Sequence, residues 1–306
     1  MARQIGRLRA WAEHAAIAPL WAPLRAMPLE RAVRFGSILG AAAAKLDRLN
    51  RDVLCRNLEI AFPDQDALTR RSLCTRVYRN FGRMAAEWVH FRDLNPANIE
   101  HFVTYAGRTH WDAAIRASDG RGILVLTGHF GNFELLSLAH SIQGNRIAIV
   151  HRPLRNPLLD ATVADLRRSF GNVTVARKGA AREVLRLLKE NWMVAVPLDL
   201  DVRHGVFVDF FSLAASTGDG LARLAMATGA PVLPAFMVRE GASARHRITI
   251  LPMIELVKNP DRVAAVRENT QRFTSTIEMM IRRYPDHWNW IHRRWKTRPA
   301  GEPRFY

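Results

Sequence analysis

The chain has 306 residues, 48% of them hydrophobic, which is enough to bury a full core in one large domain or two. Its only cysteines, Cys55 and Cys74, exclude a disulfide-held scaffold and read as reduced, structural residues. A surplus of 45 Lys and Arg over 28 Asp and Glu, net charge +17, points to a polyanionic partner: nucleic acid, an anionic membrane face, an acidic carrier protein or a phosphorylated lipid.

The chain opens with Arg3, Arg7 and Arg9, then an apolar stretch from Ala15 to Leu24 interrupted by Pro19 and Pro23. That stretch falls short of the roughly 20 apolar residues a membrane span needs, and no small-residue cleavage pattern follows it. A second uncharged stretch, Phe35 to Ala44, is short and rich in Ala. A basic helix carrying Trp11, Ile17, Leu20 and Trp21 is expected to lie in a membrane interface with its arginines toward the headgroups, an ordinary packing helix being the alternative. Leu46, Leu49, Val53 and Leu54, and then Val77, Phe81, Met84 and Trp88, repeat at helical spacing. Pro63-Asp64 separates the two runs, Asp66 or Thr69 can cap the second, and Asn95-Pro96 ends the helical region. Residues 1–95 thus read as a helical N-terminal region with an interfacial membrane-binding segment, and residues 96–306 as an α/β domain, the two forming one compact unit.

Past about residue 100 the texture alternates. Strands are predicted at 102–105, 122–126, 146–150, 172–175, 193–197, 206–209, 231–238 and 246–252. Helices are predicted at 109–117, 131–142, 158–169, 179–190, 217–228 and 260–283. The fold class expected is α/β, with a mostly parallel central sheet flanked by helices and a helical N-terminal layer.

The run Ile123 to Leu126 is apolar at every position, as a strand buried on both faces is. Thr127-Gly128 ends it, so His129 stands at a strand exit and Glu134 about one turn into the following helix. Chemistry in open α/β sheets sits at such carboxyl ends. There His129 can take a proton from a hydroxyl, with Glu134 holding the ring in one tautomer; a capping His and a surface Glu is the plain alternative.

His151-Arg152-Pro153 follows the next strand, at the same sheet edge, where Arg152 can neutralise a phosphate or carboxylate and Asn156-Pro157 shapes the turn. Arg167, Arg168, Arg177 and Lys178 enlarge this basic zone. Asp199 and Asp201 follow the strand at 193–197, and Asp199 is expected to accept hydrogen bonds from substrate hydroxyls or to fix an arginine. No His-x-His or His-Glu-x-x-His spacing makes these acids a metal site with His204.

Gly205 to Phe211 is dense in large apolar groups and suits either an acyl-chain tunnel or plain core. Ser216-Thr217-Gly218-Asp219-Gly220 opens a helix, whose free N–H groups around Thr217 can hold an anion or be capped by a hydroxyl. In the tail, Arg293, Arg294, Lys296 and Arg298 crowd between and beyond Trp290 and Trp295. Basic residues interleaved with aromatics also bind single-stranded nucleic acid, but no nucleic-acid motif appears elsewhere.

His129-x4-Glu134 after an apolar strand resembles the His-x4-Asp/Glu motif of glycerolipid-type acyltransferases. Four more stretches resemble one branch of them, the lipid A biosynthesis (lauroyl/myristoyl) acyltransferases: Asn57 to Pro63, His151 to Pro157, Gly205 to Phe211 and Trp290 to Pro299. The resemblance covers roughly residues 30 to 306. It departs at Asp199-Leu200, where the family usually has Asp-Gln, and at Asp209, where Pro is common.

The resemblance implies transfer of a fatty acyl chain from a thioester on acyl carrier protein to a hydroxyl of a phosphorylated glycolipid, a lipid A precursor. In that reading His129 and Glu134 are catalytic. Arg152, Asn156, Arg167, Asp199, Thr217, Arg293, Arg294 and Lys296 meet substrate, the tail residues by recruiting an anionic partner. No cofactor and no metal are implied. The expected location is the cytoplasmic face of the cell inner membrane, peripheral or monotopic, against its anionic surface. An acyltransferase for another membrane glycolipid or aminolipid, and a basic nucleic-acid- or membrane-binding protein, are the rival readings.

Overall fold

A computed structural model describes residues 6–306, apart from the side chains of residues 16–18 and 20. Arg3, and the side chains of Ile17 and Leu20 on which part of the interfacial expectation rests, lie outside the described residues.

Four helices come first: α1 (Arg7–Ala26), α2 (Leu29–Leu46), α3 (Arg48–Ala61) and α4 (Ala67–Trp88). Pro19 and Pro23 lie inside α1, which runs through both, so the prolines interrupt the apolar stretch without ending the helix. Asp66 caps α4, its Oδ1 accepting from the Leu68 and Thr69 N–H groups at 2.8 Å each. α2 and α4 cross closely at Gly36, Gly40 and Gly82: a Cβ on Gly82 would stand 1.9 Å from the Gly36 carbonyl oxygen.

The alternating region runs α5 (Ile99–Phe102), β1 (Val103–Ala106), α6 (Arg108–Ser118), β2 (Ile123–Thr127), α7 (Phe133–Ile142), β3 (Ile147–His151), α8 (Pro157–Ser169), β4 (Val173–Ala176), α9 (Ala180–Lys189) and β5 (Met193–Pro197). It continues through β6 (Val206–Phe210), β7 (Leu213–Thr217), α10 (Gly220–Thr228), β8 (Val232–Arg239), β9 (His246–Ile250) and α11 (Arg262–Arg283). Seven strands form one sheet in the order β1-β9-β8-β2-β5-β3-β4. Pairs β2–β5, β2–β8, β3–β5, β3–β4 and β1–β9 are parallel, and β8–β9 is antiparallel. The fold is therefore α/β with a mostly parallel sheet between helices.

β6 and β7 stand apart as an antiparallel hairpin. β7 was not among the expected strands.

Side chains alternate across the sheet, as a period of two requires. Leu124, Leu126, Val150, Val194 and Val196 join a core with Leu54 and Leu58 of α3, Leu73 and Val77 of α4, and Phe273 and Ile277 of α11. Ile123, Val125, Ile147, Ile149, Met193 and Ala195 face the other way, against Leu135, Leu136, Leu138 and Ala139 of α7. Burial of apolar surface on both faces, worth about 25 cal/mol per Å², is what holds such a sheet between its helices.

Candidate active site

β2 and β5 are parallel neighbours with Thr127 opposite Pro197, so the residues following them emerge side by side at the carboxyl edge of the sheet. His129 comes from the first and Asp199 from the second. His129 Nδ1 lies 2.9 Å from Asp199 Oδ1, and the His129 backbone N–H donates to Oδ2 at 2.7 Å. The Trp288 indole N–H also donates to Oδ2, at 2.8 Å. Gly128 sits against this carboxylate: a Cβ there would stand 3.1 Å from Asp199 Cγ, tighter than ordinary contact.

Asp199 is buried. Burial alone would raise its pKa; the charge and ring hydrogen bond of His129, with the Trp288 and backbone donors, outweigh this and bring it to about 2. An ionised carboxylate only accepts, so Nδ1 carries the ring proton and neutral His129 has its lone pair on Nε2. Burial lowers the pKa of His129, while the Asp199 charge and hydrogen bond raise it, with a net rise.

The turn after His129 is tied to the tail. Gly131 takes φ +56°, where a Cβ would meet the Met237 carbonyl oxygen at 1.9 Å. Its N–H donates to the His287 carbonyl at 2.7 Å, and the Asn289 N–H donates to the His129 carbonyl at 3.0 Å. Asn132 then caps α7, its Oδ1 accepting from Leu135 N–H, while its Nδ2 donates to Glu87 at 2.7 Å. Glu87 is buried and also bonds Arg239 and His246. The loop carrying His129 is thus held by α4, β8, β9 and the tail together.

The expectation that Glu134 orients His129 is corrected. Its carboxylate is engaged by Arg167 of α8, with Nε at 3.0 Å from Oε2 and Nη2 at 2.5 Å from Oε1, a bidentate pair with each side chain 9% exposed. The tight turn at Gly131 and the Asn132 cap intervene between His129 and the helix. Asp199, expected on substrate hydroxyls or an arginine, is the ring's partner, and His129, the backbone and Trp288 occupy its oxygens. Both Glu134 and Arg167 line the cavity beside His129, and Arg167 Nη1 has no hydrogen-bond partner among the described residues.

That cavity has a volume of about 950 Å³. Arg152, Arg155, Arg177, Arg223 and Arg262, exposed side chains at the ends of β3 and β4 and the starts of α10 and α11, line part of it. Apolar residues of the α7-facing side of the sheet line another part, among them Val125, Ile149, Met193, Ala195, Leu233 and Ala235. Gly205 to Phe211 line none of it; Phe210 and Phe211 pack instead against Trp288, Trp290 and Trp295, so the tunnel alternative for this stretch is corrected to core.

Asn156 is a helix cap and not a cavity residue: its Oδ1 accepts from Leu158 and Leu159 N–H, and its Nδ2 reaches Ala10 O and Glu13 of α1. Thr217 is also a structural residue. α10 starts at Gly220 with Asp219 as N-cap, and buried Thr217 accepts from Arg294 Nη2 at 2.5 Å. Arg294 is fully buried, donates to Ser216 O at 2.8 Å and stands 5.0 Å over the Phe210 ring. Burial pushes its pKa down to about 10. Arg298 bonds Glu302 and the Ala214 carbonyl. Arg293, 5.9 Å over the Tyr306 ring, and Lys296 are exposed and away from the cavity lining.

Arg294 is therefore part of the core, which corrects its reading as an anion-recruiting residue, and Arg298 is engaged within the tail, while Arg293 and Lys296 stay exposed. Arg294→Ala is expected to cost about 3 kcal/mol or more, since two charge-assisted bonds vanish from a buried site. Arg293→Ala and Lys296→Ala should leave stability within about 0.5 kcal/mol of wild type. Urea unfolding of the three variants separates these outcomes.

Among the described residues no group of three His, Cys, Asp or Glu could hold a metal ion, and no helix is long and apolar enough to cross a membrane.

The sequence profile described as bacterial lipid A biosynthesis acyltransferase matches residues 2–297. The chain is similar to the lipid A biosynthesis lauroyltransferase of Escherichia coli (strain K12), 28% identical, covering 97% of this chain and 95% of that one. It is similar to the lipid A biosynthesis myristoyltransferase of the same organism, 25% identical over 88% of this chain and 82% of the relative. A third relative, the phosphatidylinositol mannoside acyltransferase of Mycobacterium tuberculosis, is 26% identical over 90% of this chain and 86% of its own length.

Proposed function

The chain belongs to the bacterial lipid A biosynthesis acyltransferase family, and we propose that it moves a fatty acyl chain from an acyl carrier protein thioester onto a hydroxyl of a lipid A precursor, with His129 as general base. The observation that carries this reading is the pair of buried Asp199 and part-exposed His129 opening on a cavity that is apolar along the sheet and arginine-rich at its rim.

Neutral His129 accepts the acceptor hydroxyl proton at Nε2 while the Nδ1–H bond to Asp199 fixes the tautomer and stabilises the imidazolium. The acceptor oxygen attacks the thioester carbonyl, forming the new C–O bond and a tetrahedral oxyanion. The C–S bond then breaks, and the imidazolium returns its proton to the leaving thiolate. No acyl-enzyme intermediate enters. Arg167, fixed by Glu134, offers its remaining nitrogen to charge developing in the cavity. Arg152, Arg155, Arg177, Arg223 and Arg262 suit the phosphates of the acceptor, as forked donors do. Roles for Asn156, Thr217 and Arg294 are confined to holding the fold.

The test is acyl transfer by the purified protein from acyl-loaded carrier protein to a lipid A precursor, followed by mass spectrometry. A single added acyl group is expected. Transfer to a phosphatidylinositol mannoside, and none to the lipid A precursor, would instead support the other acceptor.

The reading puts the protein peripherally on the cytoplasmic face of the inner membrane, and the exposed apolar residues of the N-terminal helices support contact with a membrane surface. Leu8, Trp11, Phe35, Ile38, Leu46 and Leu49 all stand open to solvent, interspersed with exposed Arg7, Arg9, Arg31, Arg34, Lys45 and Arg48. Each such cation near an anionic surface contributes about 1 kcal/mol, and salt weakens it. Cosedimentation with anionic vesicles should therefore fall in Trp11→Ala and Ile38→Ala together, and a binding curve unchanged by these substitutions would contradict a role for this face.

A further inference from the structure

The geometry points to a fixed floor for the acyl chain: Trp111 and His140, backed by Tyr105, limit the length of chain the cavity accepts. This rests on reading the cavity as the acyl site.

The cavity reaches from one edge of the sheet to the other. Its lining includes Thr127, Pro197 and His151 at the carboxyl ends of β2, β5 and β3, and Met193 and Ile147 at the amino ends of β5 and β3. Four residue steps of strand from Met193 to Pro197 span roughly 13 Å. The α7 side extends nearly as far. Phe133, Ser137 and His140 share a stripe of that helix and line the cavity. The seven steps from Phe133 to His140 cover about 10 Å. Because α7 returns the chain from the carboxyl edge to the start of β3, His140 stands at the end remote from His129.

That end is closed by rings. Trp111 of α6 stacks on His140 with centroids 4.9 Å apart and planes 10° from parallel. Tyr105 of β1 meets the same imidazole edge-on, centroids 5.3 Å apart, with its Oη 3.2 Å from His140 Nδ1. Three rings from three elements, two stacked and one bonded, have few rotamers open to them, so a chain end meets a wall and not a yielding side chain. His140 suits an apolar floor because burial, helped by the Arg108 charge, pushes its pKa down to about 4 and keeps it neutral. Beyond the Glu134–Arg167 ion pair, the walls toward the floor include Val125, Leu136, Ile149, Ala195 and Ala235, all apolar. Nothing in the acyl transfer itself uses Trp111, His140 or Tyr105.

The experiment measures binding of saturated fatty acids of increasing length to the full chain by calorimetry. Affinity should rise about fourfold per methylene while each new group is buried, and stop rising at one length, where the chain meets the floor. Trp111→Ala should move that break to longer chains. Ala195→Leu, which fills the channel midway and leaves the floor intact, should move it to shorter ones. The same shifts should appear in the chain preferred in acyl transfer from mixed donors. A break moved by Ala195→Leu and unmoved by Trp111→Ala overturns the floor and leaves the acyl reading standing. Length-independent binding in wild type overturns the acyl reading, and the floor with it.

Discussion

Purified His129→Ala is expected to keep its fold and lose acyl transfer by about 10² to 10⁴-fold, the usual worth of a positioned general base. The side chain is part-exposed in a cavity, and its truncation removes no core packing beyond an edge contact with Phe133. Asp199→Asn should lose rate within the same range by a different route. An asparagine in place of the carboxylate can present either an oxygen or an N–H to Nδ1, and the second choice puts the ring proton on Nε2, where the acceptor hydroxyl needs a lone pair. It also removes the charge that favours the imidazolium. The effect belongs in kcat more than in KM, since neither group is needed to hold the acyl chain. Asp199→Asn must be compared at matched folding, because Trp288 and the His129 backbone also bond this carboxylate.

Glu134→Ala is expected to lower stability by about 3 to 5 kcal/mol, the cost of leaving a buried partner charge unpaired. Arg167 is that partner, and it has no other acidic group bonded to it among the described residues. The double substitution Glu134→Leu with Arg167→Met removes both charges and should recover most of the loss in urea unfolding, because well-packed apolar groups often replace a buried pair at little cost. Activity should not recover with it. If the double variant regains both stability and full transfer rate, the pair is scaffold alone and Arg167 has no part in stabilising charge in the cavity.

The alternation of apolar strands and amphipathic helices was readable from residue 100 onward because each element obeys its own period: β2 is apolar at its first four positions and buried at all five, and α9 keeps Val184, Leu187 and Leu188 on one buried face. The hairpin strand β7 was not, since its turn uses Phe211 and Ser212, both at positive φ, where Gly or Asn would have announced it. Leu-Ala-Ala-Ser-Thr then reads as an approach to the next helix.

His129 was legible from its place at a strand exit. Its partner was not, because Asp199 is 70 residues away and comes near only through the β2–β5 pairing, and strand order leaves no mark in local sequence. Glu134 was the nearer carboxylate by count, yet the Gly131 turn and the Asn132 cap set the helix so that Glu134 meets Arg167. In the tail, four cations within six residues suggested a surface patch. Burial cannot be read from charge alone, and the two terminal nitrogens of Arg294 bond the Ser216 carbonyl and the Thr217 hydroxyl of a hairpin that sequence did not reveal.

The most direct test of His129 as a base tuned by Asp199 is the pH dependence of single-turnover acyl transfer in wild type and Asp199→Asn. The pKa of His129 is raised above its ordinary 6.5 against the pull of burial, and only the neutral ring, present above that pKa, can accept a proton. Wild-type rate should therefore climb with pH through an apparent pKa above 6.5. Removing the Asp199 charge leaves burial to dominate, so the acid limb of Asp199→Asn should move to lower pH while its plateau drops. An acid limb that stays where it is in wild type when Asp199 is neutralised would contradict the account.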